Sequence, residues 1–210
     1  MVGPLAGTRV LDLYAGSGAV GLEALSRGAE HVLLVEHGAR AVRVIRQNIE
    51  ALGLPGAALA ADRVERVLAR GPNQDQPRQD QPRQNQPRQN QPRQDQPRQD
   101  QPRQDQPGEH RYDVVFADPP YAMPAAEVAR MLTALAGQGW LVPGALVIVE
   151  RATRSGPLNW PDGFVPDRAR RYGEATFWYG HAAGDGRDDR PGASPRVLAE
   201  EQKGGAACSA

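Results

Sequence analysis

The sharpest chemical signal in the sequence is a tetrapeptide, Asp118-Pro119-Pro120-Tyr121, directly after the apolar run Val114-Val115-Phe116-Ala117. It combines a carboxylate, a backbone carbonyl next to residues that lack an N–H, and an aromatic ring. These suit one task, holding a nucleobase by its exocyclic amine. Such an amine is a poor nucleophile because its lone pair is delocalised into the ring. Acceptors aimed at its hydrogens favour the tetrahedral, nucleophilic form. Asp118 can supply a carboxylate oxygen and Pro119 its carbonyl, while the proline pair fixes φ and removes competing donors. Tyr121 offers a face on which a flipped base can stack, worth about 1–3 kcal/mol. As a bare tetrapeptide the same residues also fit a structural turn; their place after a strand and downstream of a glycine loop speaks against that.

The glycine loop is Gly16-Ser17-Gly18-Ala19-Val20-Gly21, a G-x-G-x-x-G between a strand and a helix. Glycines there let the backbone approach a nucleotide ligand closely. The pattern alone fits a nicotinamide dehydrogenase, an S-adenosylmethionine enzyme or a tight turn. Asp12, four residues before Gly16 at the strand end, discriminates. Its carboxylate repels a pyrophosphate and attracts a sulfonium or ammonium group. Glu36 ends the next apolar run and can accept both hydroxyls of a ribose; a solvated strand-end acid is the alternative. Asp62 can accept an adenine amino group. Asp62-Arg63-Val64-Glu65 also fits a helix capping box, and the two roles are compatible.

Elements that must position these residues follow from apolar periodicity. Strands are expected over 9–14, 31–36, 57–61, 112–118 and 145–150, with helices over 19–27, 39–52, 62–70 and 124–136. The run Val32-Leu33-Leu34-Val35 is continuously apolar, as in a parallel strand buried on both faces. Gly53 stops the second helix. Residues 168–172 and 174–179 flank Gly173 and predict a hairpin. Strand and helix alternate until strand follows strand, which gives a parallel α/β sheet with an antiparallel edge.

Residues 76–105 are six tandem copies of Gln-Pro-Arg-Gln-(Asp/Asn). Proline in every copy forbids a helix and a central strand, and no apolar side chain offsets the ordering entropy. An inert, disordered or polyproline II insertion is expected, and a proline-motif or RNA-contacting arm is the alternative. The organisation read is therefore 1–72 and 108–183 as two halves of one domain, 73–107 as the insertion and 184–210 as a disordered tail. Basic and acidic residues balance at 25 each, which weakens a purely electrostatic nucleic-acid binder. The lone Cys208 excludes an intramolecular disulfide. His31, His37, His110 and His181 lack metal-ligand spacing, so no metal is expected. Trp140 is expected in the core. Arg168, Arg170 and Arg171 form either a solvated face or a phosphate contact. No apolar run is long enough for a membrane span and no signal peptide leads the chain, so a cytoplasmic protein is expected.

Taken together, Asp12-Leu13-Tyr14-Ala15-Gly16-Ser17-Gly18, Val35-Glu36 and Phe116-Ala117-Asp118-Pro119-Pro120-Tyr121 resemble the RsmD-type methyltransferases of bacteria. These methylate the N2 amino group of a guanine in 16S ribosomal RNA. The similarity covers most of residues 8–180 apart from the repeat. It implies an open three-layer, Rossmann-like α/β methyltransferase sandwich, mostly parallel with an antiparallel C-terminal hairpin, and S-adenosylmethionine as cofactor. Asp12, Ala15, Gly16 and Gly18 would frame the methionine part, Glu36 the ribose and Asp62 the adenine. Asp118, Pro119, Pro120 and Tyr121 would hold the target base. The partner would be 16S ribosomal RNA or a small-subunit assembly particle, bound by a monomer. The family carries a β-hairpin and a helix ahead of its first strand, whereas this sequence starts almost at that strand. A truncated, inactive remnant is one competing expectation, and a DNA adenine or cytosine amino methyltransferase is another.

Overall fold

Apolar β-branched and leucine-rich runs separated by helix-forming segments build a seven-stranded sheet between two helical layers. A computed structural model describes residues 5–72 and 110–184. The order is β1 (Arg9–Leu13), α1 (Ala19–Ser26), β2 (His31–Val35), α2 (Ala39–Leu52), β3 (Ala57–Ala60), α3 (Val64–Arg70), β4 (Tyr112–Ala117), α4 (Ala125–Gly137), β5 (Leu141–Ala152), a 3-10 turn (Thr153–Ser155), β6 (Phe164–Tyr172) and β7 (Ala175–Ala182). The strands lie in the order β3-β2-β1-β4-β5-β7-β6. Strands β1 to β5 are parallel and β7 runs antiparallel to both neighbours.

Successive side chains leave a strand on opposite faces. Val10, Val32 and Leu34 join Leu22, Leu25 and Ile45 in a core under α1 and α2. Leu11, Leu13, Leu33, Val35 and Val115 join Val67, Leu68, Val128 and Leu132 in a second core under α3 and α4. Asp12 therefore occupies an inward position on the α1 side. The three-layer sandwich expected from the sequence is borne out. The hairpin carries one refinement: β7 inserts between β5 and β6. Strand β6 is exposed after Phe164 and holds Pro166 and three arginines, which suits an edge and not a sheet interior.

Several boundaries differ from expectation: β6 starts four residues earlier and β7 ends three later than expected, and two others have a local cause. Strand β5 starts at Leu141 and passes through Pro143-Gly144; a register shift opposite Tyr112 and Val114 absorbs the extra residues. Helix α3 starts at Val64 with Arg63 as N-cap and no side-chain cap, so the capping box does not form. The Asp62 carboxylate instead takes the Arg63 N–H at 2.8 Å and pairs with Arg66 at 3.5 Å and with Arg70. Two guanidinium groups one and two turns along the helix outcompete its amides.

Trp140 is fully buried in the second core, as expected. The expectations for the repeat and for the C-terminal tail lie outside the described residues. Among the described residues no helix is long and apolar enough to cross a membrane.

Candidate active site

Burial defines the first part of the site. Asp12 is 2% exposed, and its Oδ2 accepts the Gly21 N–H at 2.9 Å. Helix α1 reaches this close because residue 21 has no side chain. A Cβ there would lie 2.5 Å from Leu34 Cδ2 and 2.7 Å from Val32 Cγ1. Burial raises the Asp12 pKa from 3.8 to about 7, against the lowering effect of the Gly21 N–H and with added repulsion from Asp118 and Glu36. One neutral donor does not compensate a buried carboxylate, so this position is poised for a cation.

The loop after β1 wraps around that carboxylate. Gly18 caps α1 at φ 80°, and its N–H donates to the Ala15 carbonyl at 2.7 Å. The Ala15 N–H donates to the Val35 carbonyl at 3.0 Å, tying the loop to β2. Asn48 on α2 fixes it from the far side, its Nδ2 donating to the Ser17 carbonyl at 2.9 Å. Glu36, just past β2, takes the Gly16 N–H on Oε2 at 3.0 Å. Its Oε1 takes the N–H groups of His37 at 2.8 Å and Gly38 at 2.6 Å. A carboxylate offers about four acceptor positions. One remains on Glu36, and a ribose diol would need a second, vacated by Gly16 or by the 37–38 turn.

The second part lies beside the first. Asp118 follows β4 and its N–H donates to the Leu13 carbonyl at 3.3 Å, so it leaves the sheet next to the glycine loop. Partial desolvation raises the Asp118 pKa. Val149 pairs with Ala117, which sets Glu150 across from Asp118 on the neighbouring strand. The Tyr121 hydroxyl lies 3.5 Å from Glu150 Oε1. Desolvation and the charge of Asp118 raise the Glu150 pKa in turn. Pro119 is buried, and the Tyr121 ring is 57% exposed. Among the described residues no donor is bonded to the Pro119 carbonyl. The result is an acidic edge with one open aromatic face and donor-free acceptors.

Asp12, Ala15, Gly16, Gly18, Glu36 and the turn 118–121 thus meet at the C-terminal ends of β1, β2 and β4. Asp62 follows β3 on the same edge, where its carboxylate accepts from the Arg63 N–H and pairs with Arg66 and Arg70. The arginines of β6 lie on an exposed strand; Arg168 pairs with Asp167 at 2.6 Å and stacks on Tyr179 at 4.6 Å. Among the described residues no group of His, Cys, Asp and Glu is arranged to hold a metal ion. Sequence reasoning did not single out Asn48 or Glu150. Only Glu150 carried a signal, an acid at the end of an apolar run like Glu36.

The family model described as Conserved hypothetical protein 95 matches residues 2–81 and 83–181. The chain belongs to that family. With this membership the RsmD-type resemblance read from the glycine loop and the 118–121 turn is borne out. Among similar members, the Bacillus subtilis protein YlbH is 47% identical over 55 residues, 26% of this chain and 30% of that one. Ribosomal RNA small subunit methyltransferase D of Haemophilus influenzae is 29% identical over 167 residues, 80% of this chain and 68% of that protein. The chain thus spans under a third of the first relative and about two thirds of the second. A solved structure from Haemophilus influenzae is 25% identical with a TM-score of 0.61, covering 85% of this chain and 89% of that one.

Proposed function

We propose that this chain is an S-adenosylmethionine-dependent methyltransferase that acts on the N2 amino group of a guanine in 16S ribosomal RNA, free or in a small-subunit assembly particle. One observation carries the reading. A buried carboxylate suited to a cation, Asp12, and an amine-accepting turn, Asp118 to Tyr121, share one sheet edge. The name of the Haemophilus influenzae relative supports ribosomal RNA as the substrate class.

S-adenosylmethionine, when bound, supplies a methyl group activated by its sulfonium. Asp12 would face the positive charge of the methionine part, with the open backbone of Ala15, Gly16 and Gly18 around it. Glu36 would take the ribose, exchanging the Gly16 N–H for a hydroxyl. Asp62 would take the adenine amino group on the acceptor position left beside Arg63, Arg66 and Arg70.

For the target, the Asp118 carboxylate and the Pro119 carbonyl would accept the two amine hydrogens and turn the nitrogen lone pair toward the methyl carbon. Tyr121 would stack on the flipped base. Asp118 or water would take the proton that the amine gives up on methylation. Holding the partners in line supplies much of the rate. Guanine is favoured over adenine by Glu150. The guanine edge carries an N1–H beside the N2 amine, two adjacent donors for two adjacent acids. Adenine presents an N1 lone pair there, which a carboxylate repels.

The test is methyl transfer from labelled S-adenosylmethionine to small-subunit RNA and to assembly particles, followed by nucleoside analysis. N2-methylguanosine is expected, and Asp118→Ala should reduce it by about 100- to 10,000-fold while cofactor affinity stays within a few-fold. Label in adenine, or normal turnover by Asp118→Ala, would overturn the assignment.

A further inference from the structure

We propose that Arg151 and Tyr14 are positioning residues that grip Met123 from two sides and thereby fix the Asp118–Tyr121 turn; the proposal rests on that turn being the target-base site. The need for an outside grip comes from the turn itself. Pro119 and Pro120 have no N–H, so two of its backbone donors are missing. What remains is the Asp118 N–H to Leu13 at 3.3 Å and the Met123 N–H to the Pro120 carbonyl at 2.8 Å. The first is long and the second only closes the turn on itself.

Arg151 supplies the grip from β5. It is 7% exposed, and its Nη1 donates to the Met123 carbonyl at 2.9 Å. Burying a guanidinium is costly, and here the bond it makes goes to the backbone immediately after the turn. Tyr14 supplies the other grip. It is the one non-glycine residue with positive φ among the described residues, at 62°. Bulky side chains avoid that conformation, and such strain persists where surrounding contacts over-determine it. In this conformation the hydroxyl donates to Met123 Sδ at 3.7 Å. Tyr14 leaves β1 at the start of the glycine loop, so it couples the cofactor side of the site to the target side. Met123 is therefore held by its carbonyl from one strand and by its thioether from another.

A cavity of about 280 Å³ lies against Arg151, lined by Ala125, Val128, Ser155, Pro157 and Asn159. Arg151→Ala would enlarge it by the space of the lost side chain, room for an added guanidinium ion.

The experiment compares the full chain with Arg151→Ala, Arg151→Met and Tyr14→Phe. Hydrogen exchange at the Met123 amide, which donates to the Pro120 carbonyl, should speed up by at least about tenfold in the Arg151 variants, while exchange in β1 and β4 stays unchanged. Turnover should fall on the order of 100-fold, with cofactor Kd and RNA KM within a few-fold. Added guanidinium ion should restore part of the turnover of Arg151→Ala. Tyr14→Phe should show the same pattern more weakly. Arg151→Met keeps the aliphatic packing and carries the test if the alanine variant does not fold. Unchanged exchange at Met123, or a uniform increase across the whole sheet, would overturn the proposal. A parent chain without methyl transfer whose Met123 exchange still responds to Arg151→Met would instead count against the functional reading.

Discussion

At the N-terminal edge of the parallel strands, the Tyr112 and Trp140 rings stack at 5.9 Å. The Trp140 indole donates to the Leu68 carbonyl at 3.0 Å, and the Tyr112 N–H to the Trp140 carbonyl at 2.8 Å. At the C-terminal edge of the same strands, Asp12 is buried with a raised pKa, Tyr14 has positive φ, and Asp118, Glu150 and Glu36 crowd the rim. The first edge buries its rings and pairs the Trp140 indole, and the Arg9 guanidinium lies over the Tyr112 ring at 5.4 Å with its Nε buried and without a hydrogen-bond partner. It also joins α3 to β4 and β5 across the part of the chain that holds the repeat. The second leaves like charges together and an aromatic ring in solvent. Ring packing is concentrated at one edge and crowded like charge at the other, which is the pattern expected of a binding edge on a rigid support.

The largest effect on stability should come from the joint. Trp140→Ala removes a fully buried ring and orphans the Leu68 carbonyl, and should cost about 3–5 kcal/mol in urea unfolding. A loss below about 1 kcal/mol would break the comparison, because it would place no special support at that edge.

Next comes Asp12, with a sign opposite to that of an ordinary paired carboxylate. Its folded pKa is about 7, against 3.8 for an ordinary aspartate. Between those values the unfolded chain has lost the proton and the folded chain has kept it. The unfolded state then binds fewer protons, so stability falls as pH rises across that window and levels off above it. Asp12→Asn should remove this slope and raise stability at pH 8 by up to about 4 kcal/mol. Unfolding curves of both proteins from pH 4 to pH 8 check it. A difference that does not change with pH would show that the buried carboxylate carries no such strain.

The smallest effect belongs to the exposed ring. Tyr121→Ala should change stability by less than about 0.5 kcal/mol, since the ring is open to solvent and its contact with Glu150 is long. Thermal melts measure this. A larger loss would mean that Tyr121 supports the fold, and would blur the contrast between the two edges.

Much of this architecture was legible in residue types alone. Continuously apolar runs such as Val32 to Val35 have to be buried on both faces, and Gly53 at φ 58° ends α2 as its position implies. Alternating strand and helix then leaves few topologies. Asp12, Glu36 and Asp118 each follow or end such a run, so parallel pairing carries all three to one edge without further information. Local chemistry determined these features because each depends on neighbours within a few residues.

Contacts between distant segments decided the rest. The insertion of β7 between β5 and β6 depends on which strand better tolerates an open edge. The engagement of Asp62 by Arg66 and Arg70 turned on competition between guanidinium groups and helix amides, which the capping pattern does not encode. Tyr14, Arg151 and Met123 are ordinary residues in their own segments. Their roles arise only when β1, β5 and the turn after β4 are brought together. A hydrogen bond reads distance and angle, and sequence separation fixes neither; the packing of the three layers does.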